Sequence, residues 1–311
     1  MSDKSTTSPP SSAPQNTSVV SIAYALLQNM RPKQWAKNGF VFMAILFDQQ
    51  FFELDALARV IAAFVLLCLT ASAIYIVNDL VDIEKDRQHP KKRFRPLASG
   101  RLPIPIGIGA AIVLFALALL GSLPLGTDLT LVIIGYIALH VAYSFVLKNI
   151  VIIDVFAIAG GFVLRVIAGA VVIDVAQFSP WLYACAATLA LFLAVGKRRQ
   201  EFIQMGEKAA TTRSILKKYN LPLINDMLRL TITTTAIAYT LYATEAETTL
   251  IQPEYMLLTV PIVYYGLFRY LYVIYVEEHG GDPTEILFED RPLQASIVLW
   301  VALIMVFFYV V

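Results

Sequence analysis

Asn78, Asp79, Asp82 and Asp86 follow one another where a long apolar stretch ends. On a helix, the i, i+4, i+8 spacing of Asn78, Asp82 and Asp86 stacks three oxygen-bearing side chains on one face. Carboxylates stacked in that way repel each other unless a cation lies among them. Oxygen donors without His or Cys suit Mg2+, which keeps several waters and bridges to substrate phosphates. Asn78, Asp82 and Asp86 are therefore read as metal ligands and catalytic groups, with Asp79 beside them as a substrate-binding group. Ordinary charge on a solvated helix end is the plainer alternative. Against it, Asn78 and Asp79 emerge directly from apolar sequence, where polar side chains are costly and tend to be functional.

A basic block follows within a few residues: His89, Lys91, Lys92, Arg93 and Arg95, then Arg101. Arg offers bidentate contacts to phosphate oxygens and Lys offers point charges. Attraction to anionic headgroups would also explain such a block, but its position beside a candidate Mg2+ site favours phosphate. Other cations stand apart from it. Arg31, Lys33 and Lys37 suit either headgroup anchoring or contact with a lipid phosphate. Tyr143 and Lys148 close another apolar segment, level with the acidic cluster. Arg165 lies about ten residues inside a segment, too deep to reach water comfortably, and requires a buried anion. Asp154 would sit about 16 Å from it along one helix, so a substrate phosphate or an acid from another segment is expected.

The elements that must carry these groups are membrane helices. The 311-residue chain is 58% hydrophobic and 15% charged, with a mean hydropathy of +0.68. A soluble domain of that size needs more charge to cover its surface. Nine apolar segments can be drawn, at residues 36–52, 56–78, 103–124, 127–147, 151–173, 180–197, 223–243, 254–276 and 292–311, most of them near the length that crosses hydrocarbon. Residues 19–30 suit an amphipathic helix lying at the interface. Nine alternating crossings put 20 of the 24 Lys and Arg on one side and only Arg59 on the other, which makes the basic side cytoplasmic. Residues 1–18, rich in Ser, Thr and Pro, read as a disordered tail, leaving 19–311 as one transmembrane domain. No cleaved signal peptide is expected. Cys68 and Cys185 lie in apolar segments without ligand spacing and read as buried thiols. A net charge of +1 gives no reason to expect nucleic acid. A homo-oligomer is compatible with the chain without being required by it.

Asn78-Asp79-x-x-Asp82-x-x-x-Asp86, followed by Lys92-Arg-Phe-Arg95-Pro-Leu-Ala-Ser-Gly100, resembles the first signature of the UbiA superfamily of intramembrane prenyltransferases. The resemblance implies an all-α bundle of nine transmembrane helices, a central cavity open to the cytoplasm and to lipid, and Mg2+ holding a diphosphate. The chain departs from the quinone- and haem-modifying members at their second aspartate-rich motif. Lys197, Arg198, Arg199 and Glu201 stand there instead, and residues 197–222 contain no Asp. A site so rich in cations should meet more phosphate than one prenyl diphosphate and a neutral ring.

One branch of that superfamily, the polyprenyl-phosphate phosphoribosyltransferases of the decaprenyl-phosphate type, has that demand. Similar stretches are Arg31-Pro-Lys-Gln-Trp35-x-Lys37-Asn38, Tyr143-Ser-x-x-Leu-Lys148, Asp154-Val, Gly160-Gly-Phe-x-Leu-Arg165, Gly196-Lys-Arg-Arg-x-Glu201, Gly281-Asp-Pro-Thr-Glu285 and Asp290-Arg-Pro-Leu293. The resemblance implies Mg2+-dependent transfer of 5-phosphoribose from phosphoribosyl diphosphate to a polyprenyl phosphate, in cell-wall precursor synthesis at a bacterial inner membrane. Lys91, Lys92, Arg93, Arg95, Lys197 and Arg198 would bind the donor's phosphates. Lys37, Tyr143, Lys148, Arg165 and Glu201 complete the substrate-binding set, while Asp282, Glu285, Asp290 and Arg291 read as loop scaffolding. An acceptor that is already an anion needs no strong general base, which fits the lack of a catalytic His in these motifs. The rival within the superfamily, prenyl transfer to an aromatic acceptor, predicts a second acidic cluster. A transporter predicts repeated halves and polar groups at the midplane, and neither is evident.

Overall fold

The structure is a computed structural model that describes residues 18–175, 179–205, 214–245, 253–277 and 283–310. The expected tail, except Ser18, lies outside them, as do Gly281 and Asp282. Among the described residues every regular element is helical. α1 (Val19–Met30) leads through a 3-10 helix (Pro32–Val41) into α2 (Phe42–Phe47), α3 (Leu54–Val81), α4 (Ile83–Gln88) and α5 (Ile104–Ser122). α6 (Thr127–Phe145), α7 (Ile153–Val172), α8 (Pro180–Met205), α9 (Leu221–Glu245) and α10 (Pro253–Leu257) follow. α11 (Val260–Tyr272) runs into a π-helical turn (Val273–Glu277), before α12 (Pro283–Glu289) and α13 (Arg291–Tyr309).

α1 begins at Ser18, whose Oγ accepts the Ser21 amide at 3.2 Å, a side-chain cap that satisfies a first-turn donor. At 12 residues the helix is too short to span hydrocarbon. Val19, Val20 and Tyr24 are exposed, whereas Ala25 and Asn29 are buried, as an interfacial helix requires. Arg31 ends it in the left-handed conformation, φ 55° and ψ 63°, which costs a residue with a side chain roughly 1–2 kcal/mol.

The first expected segment, 36–52, is not one membrane-length helix. It divides into the 3-10 helix and the six-residue α2. A 3-10 run of ten residues is uncommon, and its partners explain it. With three residues per turn, Trp35, Asn38 and Val41 fall on one line. Trp35 Nε1 donates to Ser72 Oγ at 3.0 Å, and Asn38 Nδ2 donates to Cys68 Sγ at 3.2 Å. Val41 meets α7 at Gly169, where an added Cβ would stand 2.0 Å from the Val41 carbonyl oxygen. At 3.6 residues per turn the three positions would drift off a common line. The 3-10 helix and α2 together cover about 29 Å at 2.0 and 1.5 Å per residue, close to the hydrocarbon thickness.

Seven helices among the described residues are long and apolar enough to cross a membrane, against nine segments expected. The first segment is one departure, for the reason just given. The other is α9, 25 residues long but interrupted by Asn225, Asp226, Arg229 and several threonines. Thr231, Thr234, Thr235 and Thr240 each turn a hydroxyl back to the carbonyl four residues earlier, so these groups are satisfied within the helix. α3 lies against α5 and the 3-10 helix, α7 against α6 and α8, and α8 against α9. Asp290 caps α13 by accepting the Leu293 amide at 2.7 Å and is gripped by Arg269 at 2.6–3.1 Å. That guanidinium holds the Asp290 carboxyl below the usual carboxylate range, in keeping with the scaffolding role read for it.

Gly169→Ala should destabilise the protein by about 1–3 kcal/mol, because the 3-10 backbone has to move. Gly109→Ala, whose Cβ would meet nothing within 4 Å, should be neutral or slightly stabilising, since alanine is the better helix former. Thermal unfolding of both variants in one detergent compares them directly.

Candidate active site

α3 runs unbroken to Val81, and Asp82 then leaves the helical region at φ −96°, ψ 10° before α4 restarts. The i→i−4 bonds persist through the departure, from the Asp82 amide to the Asn78 carbonyl at 3.0 Å and from the Asp86 amide to the Asp82 carbonyl at 2.9 Å. The chain therefore divides into two helical segments at Asp82, with Asn78 before the break and Asp86 beyond it. One guanidinium ties the two segments together. Arg95 Nη1 contacts Asp79 Oδ1 at 3.0 Å and Asp86 Oδ2 at 2.6 Å. Seven residues of straight helix would separate the two Cα atoms by about 10.5 Å, a long reach for two short carboxylate side chains. Arg31 Nη2 reaches the same Asp79 oxygen at 2.5 Å, with its guanidinium 4.9 Å from the centre of the Tyr75 ring. The result is a chain of alternating charge, Arg31–Asp79–Arg95–Asp86, with both carboxylates buried at 3–4% exposure. Each buried carboxylate has a cationic donor, the condition under which such burial is tolerated.

Asn78 Oδ1 accepts the hydroxyl of Ser144 from the end of α6. Asp82, with its side chain 32% exposed, faces Lys148 at 3.6 Å and Lys85 at 3.7 Å. Lys148 thus comes to the acidic cluster as the sequence suggested, and Tyr143 stands half-buried one turn before it. In the basic loop, His89 Nδ1 accepts the amides of Lys91 and Lys92 at 3.1 and 3.2 Å. Burial, reinforced by the Lys92 charge, moves the imidazole below its usual pKa, and a neutral Nδ1 is what these two amides need. Lys91 and Arg93 are exposed and Lys92 is half-buried. Among the described residues, no group of three or more His, Cys, Asp or Glu converges as a metal cage would. Asn78, Asp82 and Asp86 offer two carboxylates and one carboxamide oxygen. That set is too small for an all-protein cage but suits Mg2+, which takes one or two carboxylates and fills its shell with water and phosphate.

Two residues expected to bind substrate, Arg165 and Arg198, are almost fully buried. Arg165, 4% exposed, donates to Asn38 Oδ1 at 2.7 Å, to the Gly161 carbonyl at 2.7 Å and to the Tyr136 hydroxyl at 2.5 Å. It also lies over the Tyr136 and Phe162 rings at 4.9 and 5.1 Å. The buried anion expected for it is replaced by neutral acceptors and ring faces, which together stabilise a desolvated guanidinium. Arg198, 1% exposed, pairs with Asp154 and Glu201. Arg198 therefore fastens α8 to the start of α7 through Asp154, while Lys197 beside it is half-buried. Tyr219 donates to Asp154 at 2.7 Å and accepts the Ile152 amide at 2.7 Å. Ile152 has φ 70°, an outlier for a β-branched residue, and that bond pins it.

Sequence reasoning assigned no site role to Tyr136, Ser144 or Tyr219, and read Arg31 as a headgroup anchor or lipid-phosphate contact, not as the partner of Asp79. Arg31 carried a usable signal, a cation wedged between an apolar lead-in and Pro32. The others carried none, because their partners are distant in the chain. A cavity of about 410 Å³ lies between the 3-10 helix, α2, α7, α8, α9, α11, α12 and α13, and among the described residues Lys37 is the one charged residue in its lining. Leu182 and Leu193 both line it, so it extends about 16 Å along α8.

The profile of the UbiA prenyltransferase family matches residues 39–284. A UbiA homologue from Archaeoglobus fulgidus bound to GPP and Mg2+ superposes with a TM-score of 0.70 at 19% identity, over 92% of this chain and 100% of that one. Decaprenyl-phosphate phosphoribosyltransferase of Corynebacterium glutamicum is 35% identical, over 93% of this chain and 88% of the relative. The Mycobacterium tuberculosis enzyme of the same name is 31% identical, over 89% and 92%. Apolar helices of membrane length together with these relatives define an integral-membrane transferase. The chain belongs to the UbiA prenyltransferase family.

Tyr219→Phe should cost about 1–3 kcal/mol near neutral pH, because it leaves the Ile152 amide without its acceptor and removes the hydroxyl donor from Asp154 Oδ1. Burial and the bond to Asp154 push the Tyr219 hydroxyl up to about 12 from an ordinary value of 10.0. With a raised pKa, the stabilising contribution is complete below the ordinary value and fades as pH rises through the folded one. The stability gap between wild type and variant in thermal melts should be constant from pH 7 to about 10 and shrink above it. A gap that widens at alkaline pH contradicts this role.

Proposed function

We propose that the protein transfers 5-phosphoribose from phosphoribosyl diphosphate to a membrane polyprenyl phosphate of the decaprenyl type, releasing diphosphate. The reaction would take place on the cytoplasmic face of a bacterial inner membrane, as a step in cell-wall precursor synthesis. The observation that carries the proposal is the apolar cavity with Lys37 as the one charged lining residue among those described. A long hydrocarbon ending in a single phosphate has the matching chemistry. The names of the relatives that align over most of their length support the transferred phosphoribosyl group and the acceptor. The concentration of Lys and Arg on one side supports the cytoplasmic placement.

In this reading the bond from the ribose C1 to the diphosphate oxygen breaks, and the electron pair leaves with diphosphate. A new bond forms from C1 to an oxygen of the lipid phosphate, which approaches from the opposite face. Asn78, Asp82 and Asp86 would hold Mg2+. When bound, Mg2+ supplies charge neutralisation for the departing diphosphate. Lys91, Lys92 and Arg93 bind donor phosphate oxygens from the loop after α4, and Lys148 and Lys197 add positive charge beside them. Tyr143 borders the same site, and Lys37 takes the phosphate of the lipid. Catalysis rests on positioning and charge stabilisation. Arg165, Arg198 and Glu201 serve by holding helices together.

The test is an assay of purified protein in lipid nanodiscs with radiolabelled phosphoribosyl diphosphate and decaprenyl phosphate. Label should enter the organic phase, and chelation of divalent cations should stop it. Label that stays in water, while a prenyl diphosphate alkylates an aromatic acid, would replace this reaction with UbiA-type prenyl transfer. Asp82→Asn should abolish turnover and leave the thermal melt unchanged; normal rates in that variant would remove Asp82 from the site.

A further inference from the structure

Asp86 Oδ2 accepts Arg95 Nη1 at 2.6 Å, and Asp86 is one of the carboxylates offered to a divalent cation. A divalent cation that ligates Asp86 through Oδ2 competes with the guanidinium for that oxygen and repels its positive charge at close range. Arg95 has a second hold, on Asp79 Oδ1 at 3.0 Å, and Asp79 is itself held by Arg31 at 2.5 Å. Asp79 is 3% exposed and one of its oxygens receives both guanidinium groups, which fits it to hold the two arginines.

We propose that Arg95 is an exchangeable counter-ion: binding of a divalent cation at Asp86 displaces the guanidinium, which pivots on Asp79 and turns towards the donor diphosphate. Arg31 keeps the pivot in place. Arg31 and Asp79 are then positioning residues, acting through Arg95. The exchange couples the two ligands. A cation that frees Arg95 improves the diphosphate site, and by reciprocity an anion that holds Arg95 away from Asp86 improves the cation site. The inference rests on the Mg2+ ligation proposed above and goes beyond it by naming what the cation must displace.

The test is Mn2+ binding to the purified full-length protein, followed by electron paramagnetic resonance with no phosphate compound present. Arg95→Gln should bind Mn2+ roughly tenfold more tightly than wild type, within the usual range of coupling between sites. Lys91→Gln removes the same charge from the same loop without a contact to Asp86, and should change the affinity less than about twofold, as expected for an exposed and screened charge. Arg95→Lys keeps the charge but lacks the planar fork, so it should fall between wild type and Arg95→Gln; it decides the matter if the Gln variant does not fold. For the pivot, Asp79→Asn should raise KM for phosphoribosyl diphosphate and change kcat little. Equal or weaker Mn2+ binding in Arg95→Gln, or an equal gain in Lys91→Gln, overturns the exchange while leaving the Mg2+ site intact. Absence of Mn2+ binding in every variant overturns both.

Discussion

A carboxylate that ends a membrane helix has to be neutralised before the helix can be buried among others. Asp79 and Asp86 are both almost fully buried, and a single nitrogen of Arg95 touches both. Much of the local architecture follows. The helix breaks at Asp82, and carboxylates from either side of the break meet on one guanidinium. The loop after α4 folds back to deliver Arg95. Arg31 adopts a left-handed backbone at the junction of α1 and the 3-10 helix, and its guanidinium completes the neutralisation of Asp79. Strain of this kind persists where surrounding contacts over-determine it, and two bonds to one carboxylate oxygen are such a constraint.

The membrane interior offers two other ways of keeping arginine, and the protein uses both. Arg198 is balanced by carboxylates, Asp154 and Glu201, and the resulting network joins α7, α8 and the segment around Tyr219. Arg165 is held by an amide oxygen, a carbonyl, a hydroxyl and two aromatic faces. Removing a partner from either set would leave a buried charge uncompensated, which costs far more than the pair contributes when intact. Both arginines thereby stiffen the frame around the site. The π-helical turn after α11 is secured in a similar way: Arg199 and Gln200 donate to the Ile274 carbonyl at 2.5 and 3.3 Å. A π turn leaves carbonyls out of the α pattern, and side chains from a neighbouring helix supply the missing donors.

The 3-10 helix links the charged and apolar parts of the molecule. Its threefold line of Trp35, Asn38 and Val41 seals it against α3 and α7, by way of Ser72, Cys68 and Gly169. Ala36, Lys37, Gly39 and Phe40, which lie off that line, border the cavity. One short element therefore presents a polar seam to one side and a lipid-like wall to the other. A cation at the border of such a wall is suited to an amphiphile, with its stem along apolar surface and its ammonium at the polar end.

The sequence by itself determined the membrane character, the side on which charge gathers, and the family, because apolar length, Lys and Arg placement and the spacing from Asn78 to Gly100 are local properties of the chain. It also located the acidic and basic blocks that the structure brings together through Arg95, and the proximity of Lys148 to Asp82. It could not decide which ionised groups face one another across helices. Arg165 and Arg198 look alike as cations in or beside apolar sequence, yet Arg165 finds side-chain partners 29 and 127 residues away, and Arg198 finds Asp154 on the preceding helix. The 3-10 geometry of residues 32–41 was equally hidden, since composition marks a segment as apolar without fixing its residues per turn. Only packing against α3 and α7 selected three per turn, and only that packing turned Arg31 towards Asp79. Local pattern says where charge is affordable; tertiary contact assigns each charge its partner, because partnership depends on distances of a few ångströms between residues far apart in sequence.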